Sequence, residues 1–124
     1  INPLLIDIPG CSVHPDWVWH TITHLVKVGL PPLNGNNSPD LFFKSTVHES
    51  CPRYHYFQEE IYASKPSDRG CLFKLGCQGP TTHADCPTRW WNGGTTWCVD
   101  AGAPCIGCAS PEFARKKDFP FYLV

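Results

Sequence analysis

Apolar residues are bunched along this chain, and only one stretch keeps a period long enough to define an element. Residues 4–8 (Leu-Leu-Ile-Asp-Ile) form a short apolar run closed by Pro9-Gly10, which predicts a short buried strand. Cys11 then falls in a strand-to-helix turn. His14-Pro15-Asp16 reads as a helix start, with Pro15 in the first turn, where its missing N–H is no loss. Trp17, Val18, Ile22, Leu25 and Val26 follow near helical spacing and Gly29 supplies a stop, so a helix is predicted over residues 15–28. Residues 31–40, crowded with Pro, Asn and Gly, read as a loop. Residues 57–63 predict a short helix ended by Lys65-Pro66. From 64 to 110 no period persists, so backbone ladders cannot hold this stretch and something else must tie it down. Ser110-Pro111-Glu112 predicts the cap and first turn of a brief C-terminal helix. Residues 118–124 form an apolar tail in which Phe119, Phe121 and Tyr122 are expected to pack.

Composition narrows the class. At 124 residues one modest core and a single domain, or a piece of one, are expected. Hydrophobic residues at 42% against charged residues at 17% exclude a disordered chain. A net charge of −1 gives no electrostatic case for nucleic acid as a partner. Thirteen Pro and ten Gly exclude dominance by long helices. The longest nearly apolar run, residues 21–30, carries His24 and Lys27 and is far too short to span a bilayer. The opening Ile1-Asn2-Pro3 has no Met and no basic region, so it does not read as a secretory signal and reads as the inside of a longer protein.

Cysteine changes the picture most. Seven of the eight Cys fall within residues 51–108, several beside Gly or Pro, as a backbone curling around an inorganic group would need. His48-Glu49-Ser50-Cys51 sets an imidazole and a thiol three apart, and Cys71 and Cys77 follow, together offering one His and three Cys. Cys105-Ile106-Gly107-Cys108 is a C-x₂-C knuckle whose two sulfurs can reach one metal or cluster, with Cys86 and Cys98 the nearest completing ligands. Cys11 stands alone and, by itself, reads as a buried structural thiol. Three alternatives remain open on these residues: iron–sulfur ligation, a zinc-stabilised structural module, and a secreted scaffold with four disulfides. His20 and His24, four apart on the predicted helix, read as packed rather than ligating, and His14, His55 and His83 have no evident partner. Trp90, Trp91 and Trp97 lie between Cys86 and the knuckle and read as core, or as a shell that keeps water from a metal group.

The segments Ile8-Pro9-Gly10-Cys11, Thr46-Val47-His48-Glu49-Ser50-Cys51-Pro52-Arg53, Cys71-Leu72-Phe73-Lys74-Leu75-Gly76-Cys77-Gln78-Gly79-Pro80, Ala84-Asp85-Cys86-Pro87, Trp91-Asn92-Gly93-Gly94 and Ala101-Gly102-Ala103-Pro104-Cys105-Ile106-Gly107-Cys108 resemble the small subunit of nickel–iron hydrogenase. The resemblance runs in order to Phe119-Pro120-Phe121-Tyr122 and covers only the C-terminal part of that subunit. It implies a mostly irregular, cluster-organised fold with a few short α-helices, without the family's flavodoxin-like N-terminal domain. Residues 1–30 would carry the proximal ligand, 41–80 the distal-cluster segment and 81–124 the medial-cluster segment.

Residue by residue, the resemblance implies His48, Cys51, Cys71 and Cys77 as ligands of a distal [4Fe–4S] cluster. Cys86, Cys105 and Cys108 match a medial cluster, usually [3Fe–4S] in this family, and Cys11 matches one ligand of a proximal cluster. Where many members have Pro in the stretch 97–99, this chain has Cys98, whose extra thiol could complete a medial [4Fe–4S] cubane. The implied role is electron transfer within a heteromeric hydrogenase whose H₂ chemistry lies in a large subunit. The implied partners are that large subunit, a polypeptide supplying the other proximal ligands, and an acceptor protein or quinone-linked cytochrome. The implied compartment is cytoplasmic, membrane-associated or periplasmic.

Overall fold

The computed structural model describes residues 4–113. Its main helix, α1, spans Pro15–Lys27. His14 caps it: the ring Nδ1 accepts the Asp16 N–H at 3.1 Å, Pro15 occupies the first turn, and Asp16 adds a negative charge at the positive end of the helix. At the other end Val28 and Gly29 both donate to the His24 carbonyl, and Gly29 turns away at φ +119°. The predicted helix is therefore present, one residue shorter. Its apolar face is less buried than the spacing implies. Trp17 and Thr21 are buried, while Trp19, Ile22 and Val26 are 66, 50 and 80% exposed.

The remaining helices are single turns: α2 Asp40–Phe43, α3 Val47–Ser50, α4 Tyr54–Gln58 and α5 Cys86–Arg89, with 3₁₀ turns at Phe73–Leu75 and Gly79–Thr81. Among the described residues pairing between extended segments is limited to isolated bridges, such as Thr46 with His83 and Tyr62 with Cys71. Two expectations are corrected. Residues 4–8 form no strand: Leu4 and Leu5 are 64 and 67% exposed, and the segment is tied by the Asp7 N–H, which donates to the Asn37 carbonyl. An apolar run becomes a strand only when a partner edge is offered, and among the described residues none is. The helix predicted over 57–63 lies earlier, at Tyr54–Gln58. It stops because Glu60 is left-handed (φ +58°) and residues 61–63 are extended, Ala63 donating to the Cys71 carbonyl and Cys71 to that of Ile61. The loop at 31–40 holds up to Asp40, the first residue of α2, and the stretch 64–110 is irregular apart from its short turns. Of the predicted C-terminal helix only the expected cap is described, where Ser110 Oγ accepts from Glu112 N–H; the segment beyond residue 113, with the tail 118–124, lies outside the described residues.

The core that joins these pieces is aromatic. Trp17 is wholly buried, edge-on to Phe43 at 4.9 Å, and its indole donates to Asp85 Oδ1 at 2.7 Å. Asp85 also takes the Arg89 guanidinium at 2.9 Å, so α1 is fixed to the start of α5, the turn that Cys86 opens. Phe42, Val47, Leu72, Leu75, Trp97 and Val99 complete the cluster. Cross-links by backbone bonds replace a sheet: Val47 to Thr82, Ala84 to Ser45, Gln78 to Cys105 and Ser67 to Gly102.

Candidate metal centres

All eight cysteines are free thiols. Nine donors separate into the walls of two cavities. His48, Cys51, Cys71 and Cys77 line one, and Cys11, Cys86, Cys98, Cys105 and Cys108 line the other.

The first set is assembled by short local devices. Thr46 and Glu49 form a reciprocal capping box that starts α3. That turn carries His48, and its C-cap is Cys51, whose N–H bonds back to the His48 carbonyl. Cys71 comes from far along the chain and is held by the pairing of 61–63. Gly70 makes this possible: at φ +116°, a Cβ there would lie 2.9 Å from both the Ile61 carbonyl oxygen and Ala63 N. Arg53 clamps the same segment, its Nη1 donating to the carbonyls of Asp68 and Gly70, both at 2.9 Å. Cys77 follows the left-handed Gly76 that ends the Phe73–Leu75 turn. The His48 ring sits edge-on to Tyr54 at 4.9 Å and Phe57 at 4.5 Å. The free space between these donors is only about 20 Å³, near that of one water. A polynuclear group would therefore have to be admitted by rotation of the donor side chains.

The second cavity is larger, about 450 Å³, with Trp91, Trp97, Ile106 and Ala84 in its wall. Cys86 opens α5, and Pro87 follows it within the first turn. The knuckle turns at Gly107 (φ +76°), and the Cys105 carbonyl accepts from Gln78 N–H at 2.7 Å, which couples it to the residue after Cys77. Burial pushes the thiols of Cys86 and Cys105 up to about 12, with neighbouring thiols adding to the rise. Burial also raises Cys51, Cys71 and Cys98. The Cys98 surface opens to solvent, while protein atoms crowd its thiol. So many thiols in apolar walls cannot all ionise unless a cation compensates them, which is the donor chemistry that iron bound by thiolate requires. Trp97, in the wall of the larger cavity, has a buried indole N–H without a partner among the described residues. A sulfur-rich group there would offer it an acceptor, so the donor set and the space fit a cluster. Among the described residues no three His, Cys, Asp or Glu side chains converge as a single ion would need; the thiols surround space instead.

His20 and His24 lie apart from both cavities. His24 Nδ1 meets the Gly29 carbonyl at 2.7 Å, and His20 packs near Phe42. His55 meets the Pro52 carbonyl, and His83 is exposed in a bridge with Thr46. Sequence reasoning missed Arg53, although it stands two residues after Cys51, and His14, whose Nε2 meets the Trp90 carbonyl at 2.7 Å. No helix among the described residues is long and apolar enough to cross a membrane.

A helix-poor chain whose free thiols face two cavities defines a cysteine-organised domain rather than a disulfide scaffold. Residues 43–122 match the family model for the C-terminal region of NiFe/NiFeSe hydrogenase small subunits, and the chain belongs to that family. It is 40% identical over 130 residues to the periplasmic NiFeSe hydrogenase small subunit of Desulfomicrobium baculatum, covering 99% of this chain and 41% of that protein. It is 41% identical over 132 residues to the F420 non-reducing hydrogenase II small subunit of Methanosarcina mazei, covering 99% of this chain and 34% of the relative. The chain thus spans about two fifths or less of these relatives. In structure it is similar to the reduced, active NiFeSe hydrogenase of D. baculatum, with a TM-score of 0.89 and 41% identity over 99% of this chain and 46% of that one. The actinobacterial-type NiFe hydrogenase of Ralstonia eutropha H16 is also similar, at TM-score 0.81 and 34% identity over 87% of this chain and 33% of that one.

Proposed function

We propose that this chain is the electron-relaying iron–sulfur part of a NiFe-type hydrogenase small subunit, passing electrons between an H₂-converting site in a separate large subunit and an external acceptor. The observation that carries this reading is the sorting of nine donors, drawn from residues 11 to 108, into the walls of two cavities. His48, Cys51, Cys71 and Cys77 hold a distal [4Fe–4S] cluster. Cys86, Cys105 and Cys108 hold the medial cluster, with Cys98 as the fourth ligand. Cys11 gives one ligand to a proximal cluster whose others come from polypeptide outside this chain. Such clusters, when bound, take up and pass on single electrons.

The chain's own residues set how easily they do so. His48 supplies a neutral imidazole where a thiolate would be anionic, which favours the reduced state of its centre. Trp91 and Trp97 stand in the wall of the larger cavity, where their apolar rings would limit the access of water to a bound group. Tyr54 and Phe73, 37 and 44% exposed, flank the His48–Phe57 cluster and offer a surface to an acceptor protein or a quinone-linked cytochrome. The exposed apolar side chains of α1 support coverage by the large subunit in an obligate interface. The deciding experiment is metal and sulfide analysis of the chain purified with its partners. Iron and acid-labile sulfide in matching amounts, without zinc, are expected. Zinc without sulfide would refute the reading.

A further inference from the structure

The walls of the two cavities meet at Val47, a buried side chain that lines both. One residue joins the donors across that wall. Gln78 directly follows Cys77, a donor of the smaller cavity. Its backbone N–H donates at 2.7 Å to the carbonyl of Cys105, a donor of the larger cavity, which is the short end of the range for such bonds. The path from the Cys77 sulfur to the Cys105 sulfur is therefore covalent except for this one hydrogen bond. The rest of Gln78 is held as closely. Its carbonyl accepts the hydroxyl of the buried Thr82 at 2.6 Å and the Thr81 N–H at 3.2 Å. Its side-chain Nε2 donates to the Gly76 carbonyl, on the other side of Cys77, at 3.1 Å. Gly107, between the two knuckle cysteines, leaves room for this contact: at φ +76°, a Cβ there would stand 3.1 Å from both Gln78 Cβ and Thr82 Oγ1. A turn needed only to place Cys77 would not require such an approach to the knuckle of the other cavity.

We propose that Gln78 is the electronic link between the two centres, its N–H to the Cys105 carbonyl coupling the ligand set of Cys77 to that of Cys105. Electronic coupling falls off more slowly along covalent bonds and a short hydrogen bond than across a van der Waals gap. The crossing through Val47, which is joined to His48, ends in a non-bonded jump into the larger cavity. One electron leaves one centre and enters the other; no atom is exchanged, and the shared proton stays on the Gln78 nitrogen. The inference rests on the reading of both cavities as cluster sites and deepens it by naming the route between them.

The test replaces the glutamine at position 78 by its α-hydroxy analogue, inserted by nonsense suppression, so that an ester oxygen stands where the N–H was. The side chain and the Cys105 carbonyl are untouched. Pulsed electron paramagnetic resonance on the purified complex, with both clusters in paramagnetic states, separates their exchange coupling from the dipolar coupling that reports their separation. The expected result is an exchange coupling reduced severalfold at an unchanged dipolar coupling. Two intact clusters with unchanged exchange overturn the inference and leave the cluster reading standing. A change in both couplings together marks displacement of the centres and overturns it as well. If the ester variant does not hold both clusters, the wild-type sequence with α-¹⁵N glutamine inserted at the same codon decides: a ¹⁵N hyperfine coupling on the signal of the Cys105 centre supports the link, and its absence overturns it. A wild-type complex lacking a cluster in either cavity would overturn the cluster reading itself.

Discussion

Removal of one guanidinium should loosen the distal site without touching any ligand. Arg53 Nη1 bonds the carbonyls of Asp68 and Gly70, both at 2.9 Å, and so anchors the segment that delivers Cys71 to the segment that delivers Cys51. Each is a hydrogen bond from a charged donor, about 1.5–3 kcal/mol when lost. Arg53 is only half-buried, so water will partly replace it, and a sum of about 3 kcal/mol is reasonable. At 1.36 kcal/mol per tenfold, that is roughly a hundredfold increase in local opening of the 61–71 pairing. Arg53→Met should therefore speed hydrogen exchange of the Ala63 and Cys71 amides by about two orders of magnitude. Mass spectrometry of the purified complex reads this on peptides spanning 61–72, while peptides from α1 should be unaffected. The distal cluster should also lose iron faster than the medial one. Exchange within about threefold of wild type would show that the clamp carries no weight and that the bridge alone holds Cys71.

His48→Ala should deplete the distal signal more than any other His→Ala change depletes any cluster, since His48 alone among the histidines lines a thiol cavity. Iron counting on the His48, His20 and His24 variants checks it, and greater iron loss from either of the last two would reverse the assignment. Trp17→Phe keeps a ring in the core but removes the 2.7 Å bond to Asp85, at a cost of about 1.5–3 kcal/mol. It should lower the temperature at which the medial signal is lost; an unchanged temperature would mean that Arg89 suffices to hold Asp85.

What could be read from the sequence follows the range of the forces involved. α1 was legible because its signals are local: a capping side chain, Pro15, an apolar period and Gly29. The His48–Cys51 pair and the 105–108 knuckle were legible for the same reason. The capping box that builds α3 was equally local, yet its residues Thr46 and Glu49 were read only as flanks of His48. What joins Cys71 to Cys51 was not legible, because it depends on backbone carbonyls of Asp68 and Gly70 that no residue type announces. Nor could the pattern at 4–8 reveal that Leu4 and Leu5 stay exposed, since hydropathy reports a wish for cover and not what provides it. The irregularity of 64–110 was expected from Gly, Pro and Cys, but the contacts that demand Gly70 and Gly107 exist only once the chain is folded.

Cys98 is where sequence and structure together make the sharpest demand. It stands twelve positions past Cys86 and seven before Cys105. The fold puts it in the same cavity wall as Cys86, Cys105 and Cys108, with its thiol raised by burial and then by Cys108. A cubane takes four protein ligands and a three-iron cluster three, so under the proposed ligation the identity of residue 98 would decide the cluster type. With Cys98 bound, the oxidised medial cluster is a diamagnetic [4Fe–4S]²⁺. Cys98→Pro should convert it to paramagnetic [3Fe–4S]⁺ with a higher potential. The substitution spares the Cys98 carbonyl that accepts from Ala103 N–H, so the loop to the knuckle should survive. Cys98→Ala, which removes the thiol with no backbone constraint, should give the same signal. A wild-type oxidised protein that already shows a stoichiometric [3Fe–4S]⁺ signal from the medial site would mean that Cys98 faces the cavity as a spectator and that three thiols do the holding.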